Sequence, residues 1–483
     1  MKGRRVVIVG AGMAGVAAAI KLREAGFDDL AVYEKGSSIG GTWRENTYPG
    51  VACDVPSHLY SYSFAPNPDW SHVFAPGPEI RDYLERVATE RGVAGLVSFG
   101  DEVTSLERVD GRWRLTTARG GRDEADVVIA ATGVLHHPNL PDMPGLETFA
   151  GPAFHSARWD HAVPLPGARV GVVGTGSSAV QITTALAGTV GELVLFQRTA
   201  QWVLPVPNHP IPDEEKLRLR TDPLAIPARR EELSKTFTEG FANAVVDAGS
   251  PQMKLLEELC RANLEDNVSD PELRRKLTPP YRAACKRLIV SPNFYQAIQH
   301  PCARLVTESI ERVEPEGVRT ADGRLHQLDV LVLATGFRVD RFIRPVRVVG
   351  TGGAELEAMW SPRPWAYLSV SVPSMPNLYL LNGPNGPVGN FSLIDVAELQ
   401  IDYVLPLVDL ALSKGAEVCA TFEAAQRFEA ERVEAAKKTI WVTGCRSWYL
   451  DDRGVPAAWP WTMDRFREVM AEPRLDDFEV TPC

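Results

Sequence analysis

Two glycine motifs in the sequence have the spacing that brings a backbone close to the pyrophosphate of a dinucleotide. The first motif, Gly10, Gly12 and Gly15, follows the β-branched run "RRVVIV" and opens a stretch of helical periodicity. In this pattern backbone N–H groups at a helix N-terminus can face a phosphate. Glu34 ends the next predicted strand, where a carboxylate can accept hydrogen bonds from ribose hydroxyls. A plain glycine turn is the alternative, but the flanking strand and helix favour a dinucleotide site.

The second motif repeats this architecture in "ARVGVVGTGSSAVQITTALAGTVGELVLFQRT", with Gly174, Gly176 and Ala179 in the form G-x-G-x-x-A. Two such motifs predict two dinucleotide cofactors. The strand after the second motif ends in Arg198 and Thr199 rather than in an acid. A cation at this position can bind a 2′-phosphate, so the sequence favours NADPH over NADH, the alternative being a surface arginine.

The surrounding elements predict an α/β fold of two Rossmann-like domains, the second inserted in the first. Two apolar runs, "DVVIAATG" and "DVLVLATGF", each end in Ala-Thr-Gly and are predicted to mark chain crossings between the domains. We expect the first domain at 1–150 and 331–483, and the second at 151–330. Charged amphipathic segments at about 208–300 predict a helical insert, which either lines a pocket or caps the domain.

Composition limits the partners of this chain of 483 residues. The formal charge of −11 and the scattered basic residues argue against nucleic acid as a partner. No apolar run is long enough to predict a membrane span. The seven cysteines form no C-x-x-C pair, which predicts neither a disulfide framework nor a metal site and suits the cytoplasm. The expected substrate is a small neutral or apolar molecule, and the oligomeric state stays open.

The stretch "FAGPAFHSARWD" resembles the signature of type I Baeyer–Villiger monooxygenases, F-x-G-x-x-x-H-x-x-x-W-(P or D). The matching residues are Phe149, Gly151, His155, Trp159 and Asp160. The resemblance implies a linker between the two nucleotide domains. In it Gly151 would permit a tight turn, the aromatic residues would anchor the linker, and His155 would form a hydrogen bond across it rather than act as a base.

A longer family pattern, (A or G)-G-x-W-x-x-x-x-(F or Y)-P-(G or M)-x-x-x-D, is also present in "GGTWRENTYPGVACD". It supplies Gly40, Gly41, Trp43, Tyr48, Pro49, Gly50 and Asp54. Together the two patterns imply a flavoprotein with FAD in the first domain and NADPH in the second. The related N- and S-oxygenating flavin monooxygenases usually lack the tryptophan of the first pattern.

The resemblance also implies a reaction. NADPH reduces FAD, O2 adds to form a C4a-peroxyflavin, and this species attacks a ketone or aldehyde to give an ester or lactone. A guanidinium is suited to stabilise such an anion because it stays protonated. The family's catalytic arginine maps to Arg287, its partner carboxylate to Asp54, and the lysine for the 2′-phosphate to Lys286. A solvated basic pair is the alternative for the two cations.

The residues expected to contact the cofactors lie in both motifs and in the family patterns. Tyr60 is expected near the flavin, although an aromatic residue there could equally belong to the core. The full set is Gly10, Gly12, Gly15, Glu34, Gly41, Thr42, Trp43, Asp54, Tyr60, Val103, Gly174, Gly176, Ser177, Ser178, Arg198, Thr199 and Lys286.

Two other functions remain open from the sequence. The same cofactors could transfer oxygen to an amine or sulfur atom, or the chain could be a flavin redox sensor or an uncoupled NADPH oxidase. A disulfide reductase is not expected, because Cys53 has no cysteine near it in the sequence. The aromatic C-terminal stretch "SWYLDDRGVPAAWPW" is either a mobile lid or a packed terminus.

Overall fold

The computed structural model describes residues 4–361 and 363–482, and its first sheet has five parallel strands. Their order across the sheet is Leu378–Leu380, Val127–Ala130, Val6–Val9, Leu30–Glu34 and Val97–Phe99. Every residue of Val6–Val9 and Val127–Ala130 is buried, because helices cover one face of the sheet and a smaller sheet, which contains Val103–Val109 and Arg112–Thr117, covers the other. The edge strand Leu378–Leu380 comes from the C-terminal half, so this sheet joins two distant parts of the chain.

Long helices pack around this sheet. Met13–Glu24 contacts both Gly77–Glu90 and the 22-residue helix Leu393–Lys414. Leu393–Lys414 begins after Ser392, whose hydroxyl accepts from the N–H of Asp395, and ends at Gly415. None of the helices in the described ranges is long and apolar enough to cross a membrane. The other helices here are Thr42–Glu45, Leu356–Met359, Phe422–Ala436 and Met463–Val469.

Two smaller sheets complete this half of the molecule. One has the order Arg347–Val349, Val103–Val109, Arg112–Thr117 and Arg122–Ala125, in which only the first pair of strands is parallel, and the other pairs Ala416–Ala420 with Phe478–Pro482 antiparallel. The 3-10 turns within the described residues of both halves are Ala94–Leu96, Leu146–Thr148, Ser156–Arg158, Thr351–Gly353, Ile440–Val442 and Leu475–Asp477.

The second parallel sheet also has five strands, in the order Ala303–Val306, Glu192–Phe196, Arg169–Val173, Val330–Leu333 and Ala153–His155. The helices Ser177–Leu186 and Phe294–Ile298 pack together on it. A separate antiparallel sheet of Ile310–Glu314, Gly317–Thr320 and Leu325–Gln327 packs against it. The α/β class with two parallel sheets is confirmed. The expected boundary at 330/331 is wrong, because it would divide the strand Val330–Leu333. We propose that the chain returns to the first domain after Leu333.

The insert between the strands of the second sheet is helical only up to residue 277. Its helices are Asp213–Thr221, Ala225–Phe237, the π-helical turn Thr238–Ala242, Pro251–Asn267 and Pro271–Leu277. The expected end at about 300 is therefore too late. The strand Ile289–Val290 already pairs with Val203–Leu204, and Phe294–Ile298 belongs to the second sheet's own helical layer.

Two cysteines depart from the expectation that none is paired. Cys285 and Cys445, 160 residues apart, form a disulfide. Cys53, Cys260 and Cys419 are free and buried, and Cys302 is free and partly buried. The prediction of no disulfide is wrong because the two partners come together only through tertiary packing, which C-x-x-C spacing does not detect.

Candidate active site

The first glycine motif leaves no space for side chains where its strand meets its helix. Gly10 has a φ of +105°, and a Cβ there would lie 2.5 Å from the carbonyl oxygen of Ala131. A Cβ on Gly15 would lie 1.9 Å from the carbonyl oxygen of Gly10. Gly12 lies opposite Gly41, and a Cβ on Gly12 would lie 3.5 Å from the Cα of Gly41. Glycine is therefore required by packing at two of the three positions, while Gly12 and Gly41 leave an open backbone surface.

Glu34 is buried at the end of its strand and its carboxylate is fully engaged. Oε2 accepts from the N–H of Ala11 at 2.8 Å, and Oε1 accepts from the N–H of Gly36 at 2.7 Å and from Arg44 at 2.8 Å. The carboxylate thus lies beside the glycine turn. Arg44, which the sequence analysis did not identify, neutralises it. Val103 is buried at the start of the strand Val103–Val109.

Two aromatic side chains, Trp43 and Tyr60, lie near this turn. Thr42 and Trp43 open the short helix Thr42–Glu45. The indole N–H of Trp43 donates to the hydroxyl of Tyr60 at 3.3 Å, and the Tyr60 hydroxyl lies 3.1 Å from the sulfur of Met13. Both rings are buried, and burial raises the pKa of Tyr60 well above its usual value. The neutral phenol is therefore a fixed hydrogen-bonding group near the first motif.

Asn390 is a buried polar residue that the sequence analysis did not single out. It lies in the loop 383–392, 1% exposed, and neither its amide nitrogen nor its amide oxygen has a hydrogen-bond partner among the described residues. Leaving both groups buried without partners costs free energy. A ligand with both donors and acceptors, such as the pyrimidine edge of a flavin, would satisfy them. The open glycine surface and this amide both fit FAD.

The second motif has a similar backbone, but there is more space around its middle glycine, Gly176. Gly174 has a φ of +125°, and a Cβ there would lie 2.3 Å from the carbonyl oxygen of Ala334. Around the Cβ position of Gly176 there is no atom within 4 Å. Ser177 and Ser178 begin the helix Ser177–Leu186. A pyrophosphate at this helix N-terminus can approach Gly176 without steric hindrance.

The longer family pattern contacts this helix from the other domain. The hydroxyl of Tyr48 accepts from Ser178 at 3.0 Å and donates to Gln181 at 2.9 Å. A Cβ on Gly50 would lie 2.7 Å from the carbonyl oxygen of Gln181. The tyrosine and glycine of the pattern therefore join the loop that carries Asp54 to the second nucleotide motif.

Two cations approach each other beside the second motif. Arg198 is exposed and Thr199 partly exposed, and the carbonyl of Thr199 accepts from Thr175 at 2.8 Å. The ammonium of Lys286 lies 4.9 Å from the centre of the Tyr281 ring. Burial, and then the charge of Arg198, lower the pKa of Lys286. The positive charge of Arg198 therefore acts on Lys286, and a dianionic phosphate bound beside them would offset this repulsion.

Arg287 is held between the two domains. Its Nη2 donates to Oδ2 of Asp54 at 2.5 Å, and its Nη1 donates to the carbonyl oxygen of Gly389. Each side chain of the ion pair is 26% exposed. Burial alone would lower the pKa of Arg287, but the carboxylate of Asp54 outweighs this effect and the pKa is raised. The guanidinium is therefore charged at every working pH and faces the loop that carries Asn390.

The linker stretch is held by His155. Its Nε2 lies 3.0 Å from the carbonyl oxygen of Gly336, in the second Ala-Thr-Gly run, and its Nδ1 accepts from the N–H of Ala157 at 3.1 Å. Burial lowers the pKa of His155, so the ring is neutral. Gly151 does not have left-handed backbone. Instead, a Cβ there would lie 2.2 Å from the carbonyl oxygen of Asp329.

The aromatic residues of the linker pack on either side of this histidine. Phe149 packs against the core of the second sheet, and Trp159 meets Phe154 edge to face at 5.1 Å. The carboxylate of Asp160 accepts from the N–H of Ala162 at 2.9 Å. These contacts fix the backbone where the chain passes between the two sheets.

Comparisons with known proteins agree with this geometry. Residues 7–209 match the family model described as pyridine nucleotide-disulphide oxidoreductase. An uncharacterized monooxygenase of Mycobacterium tuberculosis is 44% identical over 478 residues, covering 98% of this chain and 96% of the relative. A Baeyer–Villiger monooxygenase of Streptomyces coelicolor is 39% identical over 99% of this chain and 92% of its own. The chain belongs to the Baeyer–Villiger monooxygenase family.

The solved structures support the same assignment. Cyclohexanone monooxygenase from Rhodococcus sp. Phi1 bound to NADP+ superposes with a TM-score of 0.88 at 29% identity, with 99% of each chain covered. The predicted family and enzyme class are confirmed. This Baeyer–Villiger monooxygenase is an NADPH-dependent flavoprotein, and its cofactors are FAD and NADPH.

Proposed function

We propose that this monooxygenase converts a small ketone or aldehyde into the corresponding ester or lactone. The observation that supports this most directly is the position of Arg287, which is paired with Asp54 and directed at the loop 383–392 between the two nucleotide motifs. A charged guanidinium at this place can stabilise negative charge that develops on oxygen. Bound FAD, once reduced by NADPH, supplies the electrons that activate O2.

The chain's own residues would position the cofactors and control charge. Asp54 would orient the guanidinium of Arg287, and its carboxylate would balance the positive charge of that group when no other anion is bound. Asn390 would hydrogen-bond the flavin, with Trp43 and Tyr60 excluding water on the side of the first motif. The other proposed FAD contacts are Gly10, Gly12, Gly15, Glu34, Gly41, Thr42 and Val103.

The second motif would hold NADPH. Gly176, Ser177 and Ser178 would face the pyrophosphate, with Gly174 shaping the turn. Lys286 and Arg198, beside Thr199, would bind the 2′-phosphate that distinguishes NADPH from NADH. Because Lys286 and Arg287 are adjacent in sequence, binding of that phosphate and the position of the catalytic guanidinium would be linked through one short segment.

The linker and the domain division are proposals as well. We propose a first domain made of both ends of the chain, a second domain between them, and His155 as the residue that holds the linker to the second crossing. Phe149, Gly151, Trp159 and Asp160 would keep the linker's path fixed. We also propose a cytoplasmic location.

Product analysis tests the proposed reaction. The holoenzyme would be supplied with NADPH and O2 and, in separate assays, a cyclic ketone, an arylalkyl ketone, an amine and a thioether. Ester or lactone formed in step with NADPH use supports the proposal. Oxygenated amine or sulfide with no ester would instead identify a heteroatom oxygenase, and peroxide release with every compound would identify an oxidase or sensor.

A further inference from the structure

The disulfide between Cys285 and Cys445 connects two segments that both reach the candidate active site. Cys285 precedes Arg287 by two positions on the chain, and Cys445 opens a segment, 445–459, that we call the C-terminal segment. Both cysteines are buried, Cys285 fully and Cys445 with 7% exposed. The disulfide therefore links the segment that contains Arg287 to the C-terminal segment.

Tyr449 is the residue of the C-terminal segment that contacts the site. A Cβ on Gly389 would lie 2.2 Å from the Tyr449 hydroxyl, so this hydroxyl rests directly on the glycine whose carbonyl accepts from Arg287. The tyrosine is buried and stacks on Trp441, with 5.1 Å between ring centres. Burial raises the pKa of Tyr449 to about 12, although the charge of Arg287 opposes this. A neutral phenol thus covers the acceptor of the catalytic guanidinium.

The C-terminal segment is attached to the rest of the protein by the disulfide and by non-covalent contacts. At its far end the N–H of Trp459 donates to the carbonyl of Gly386 at 3.0 Å, and Arg453 forms an ion pair with Glu429 at 2.8 Å. At its near end the disulfide fixes Cys445. Between them Trp448 is 40% exposed. Without the covalent attachment, the position of Tyr449 would depend on its packing against Trp441 and on the non-covalent contacts further along the segment.

We propose that Cys285 and Cys445 form a redox-reversible tether that positions Tyr449 over Gly389 and so keeps Arg287 aligned. Reduction by a dithiol would break the S–S bond, form two thiols with two electrons and two protons, and leave the reductant as a disulfide. The reverse exchange with a disulfide would restore the tether. Tyr449 is in this proposal a positioning residue, and the tether controls how well NADPH oxidation is coupled to oxygen transfer.

The other cysteines favour Cys285 and Cys445 as the pair that undergoes thiol–disulfide exchange. Burial raises the pKa of Cys53, of Cys260 to about 12 and of Cys419 to about 11, so these thiols stay protonated and unreactive. Cys302 is partly buried on the far side of the second sheet, at the start of Ala303–Val306. Cys483 lies outside the described residues. The matched control substitution is therefore Cys302→Ser.

Thiol labelling of the holoenzyme tests the tether itself. Protein purified without reductant would be alkylated under denaturing conditions, with and without prior dithiothreitol, and the alkylated positions identified by mass spectrometry. We expect Cys285 and Cys445 to be protected until reduction, while Cys302 is labelled in both samples. Full labelling of all cysteines before reduction would overturn the proposal.

Limited trypsin digestion then reports the release of the C-terminal segment, independently of any activity. Arg446 is exposed and lies directly after Cys445. We expect reduction, or the variants Cys285→Ser and Cys445→Ser, to raise the rate of cleavage there about fivefold or more, because local opening exposes the backbone. Cys302→Ser should cleave like the wild type. An unchanged rate in both cysteine variants would contradict the tether.

The expected effect of the tether on catalysis rests on the proposed function. The amount of hydrogen peroxide formed from O2 per NADPH oxidised is expected to rise about threefold when the disulfide is reduced. Tyr449→Ala should show the same rise in its oxidised form and no further rise on reduction, since the tether acts through that residue. A rise on reduction in Tyr449→Ala equal to that of wild type would refute this route. If no ketone is oxygenated at all, labelling and digestion still decide the tether, so the two failures are distinguishable.

Discussion

Arg287 and Asp54 are 233 residues apart in sequence, yet Nη2 of the arginine lies 2.5 Å from Oδ2 of the aspartate. The ion pair spans the two halves of the molecule: Asp54 follows the first nucleotide motif, and Arg287 follows the helical insert. The loop that carries Asp54 is itself held to the helix Ser177–Leu186 through Gln181, which donates to the carbonyl of Ala52 at 3.0 Å. Movement of these two parts of the molecule relative to each other would therefore alter the environment of the Arg287 guanidinium.

Replacing Arg287 by alanine should abolish oxygen transfer while leaving flavin reduction measurable. Loss of a single charged donor at a developing anion typically lowers the rate about 100-fold to 1000-fold. We expect ester formation to fall by about this factor and NADPH oxidation to yield peroxide instead. Arg287→Lys should recover only part of the activity, because an ammonium cannot contact Asp54 and Gly389 as a planar fork does.

The control for this experiment is Arg282→Ala, an arginine of the same segment that pairs with Glu257. It should form ester at nearly the wild-type rate. Asp54→Asn should lower the rate less than Arg287→Ala, and the double variant should resemble Arg287→Ala alone because the two residues act as a unit. Additive losses would show that they act separately.

Lys286 and Arg198 should determine the preference for NADPH. Removing a hydrogen bond to a charged group costs about 1.5–3 kcal/mol, which corresponds to about a 10-fold to 100-fold change in binding. Lys286→Ala and Arg198→Ala should therefore raise KM for NADPH by about this factor and leave KM for NADH unchanged. Lys276→Ala, in the neighbouring helix Pro271–Leu277, should change neither. Equal losses for both nucleotides would indicate a structural role.

Local motifs were predictable because they depend on backbone geometry within a few residues. The strands Val6–Val9 and Arg169–Val173 and the helices after them follow from glycine spacing and apolar runs. Ion pairing of Arg287 with Asp54 was predictable only through the family resemblance. The sequence around either residue gives no indication that the other is its partner.

Features set by distant parts of the chain were missed. Gly151 is needed because the carbonyl of Asp329, which is distant in sequence, approaches it. Cys285 gives no local indication of Cys445, and the strand Ile289–Val290 is too short to distinguish from the charged insert before it. Asn390 lies in a loop rich in glycine and proline, and the composition of that loop does not indicate which of its polar side chains is buried.

Asn390→Leu should weaken FAD binding without destabilising the protein that lacks FAD. The amide has no partner in the described parts of the chain, so removing it eliminates a buried polar group and should keep or raise the melting temperature of the FAD-free form. Loss of hydrogen bonds to the flavin should raise the Kd for FAD about 10-fold. Flavin fluorescence during titration measures this affinity. A lower melting temperature in the FAD-free form would show that the amide has a partner within the protein.

Acid should weaken the linker through His155. Its pKa is lowered by burial, so below the unfolded value of about 6.5 the unfolded chain binds the proton first. The stabilising contribution is present above that pH and is lost as the pH falls towards the folded-state pKa. His58, whose pKa burial lowers to about 4, has the same sign.

The part due to His155 is obtained by comparison with His155→Gln. Between pH 6.5 and 5 the free energy of unfolding of the wild type should fall more steeply than that of the variant, by at most about 1.4 kcal/mol per pH unit for one proton. Urea denaturation across this range gives both slopes. Parallel slopes would mean that His155 titrates alike in the folded and unfolded chains.

Gly15 of the first motif and Gly176 of the second should respond differently to replacement by alanine. In Gly15→Ala the new methyl would lie 1.9 Å from the carbonyl oxygen of Gly10, so strand and helix must separate, at a cost of about 3 kcal/mol or more. We expect a lower melting temperature and poor retention of FAD. Gly176→Ala places its methyl in open space, with no atom within 4 Å, so the melting temperature should hold while the affinity for NADPH falls. Thermal unfolding and NADPH titration on the same samples separate the two effects, and equal destabilisation of both variants would refute the assignment of Gly176 to the nucleotide surface.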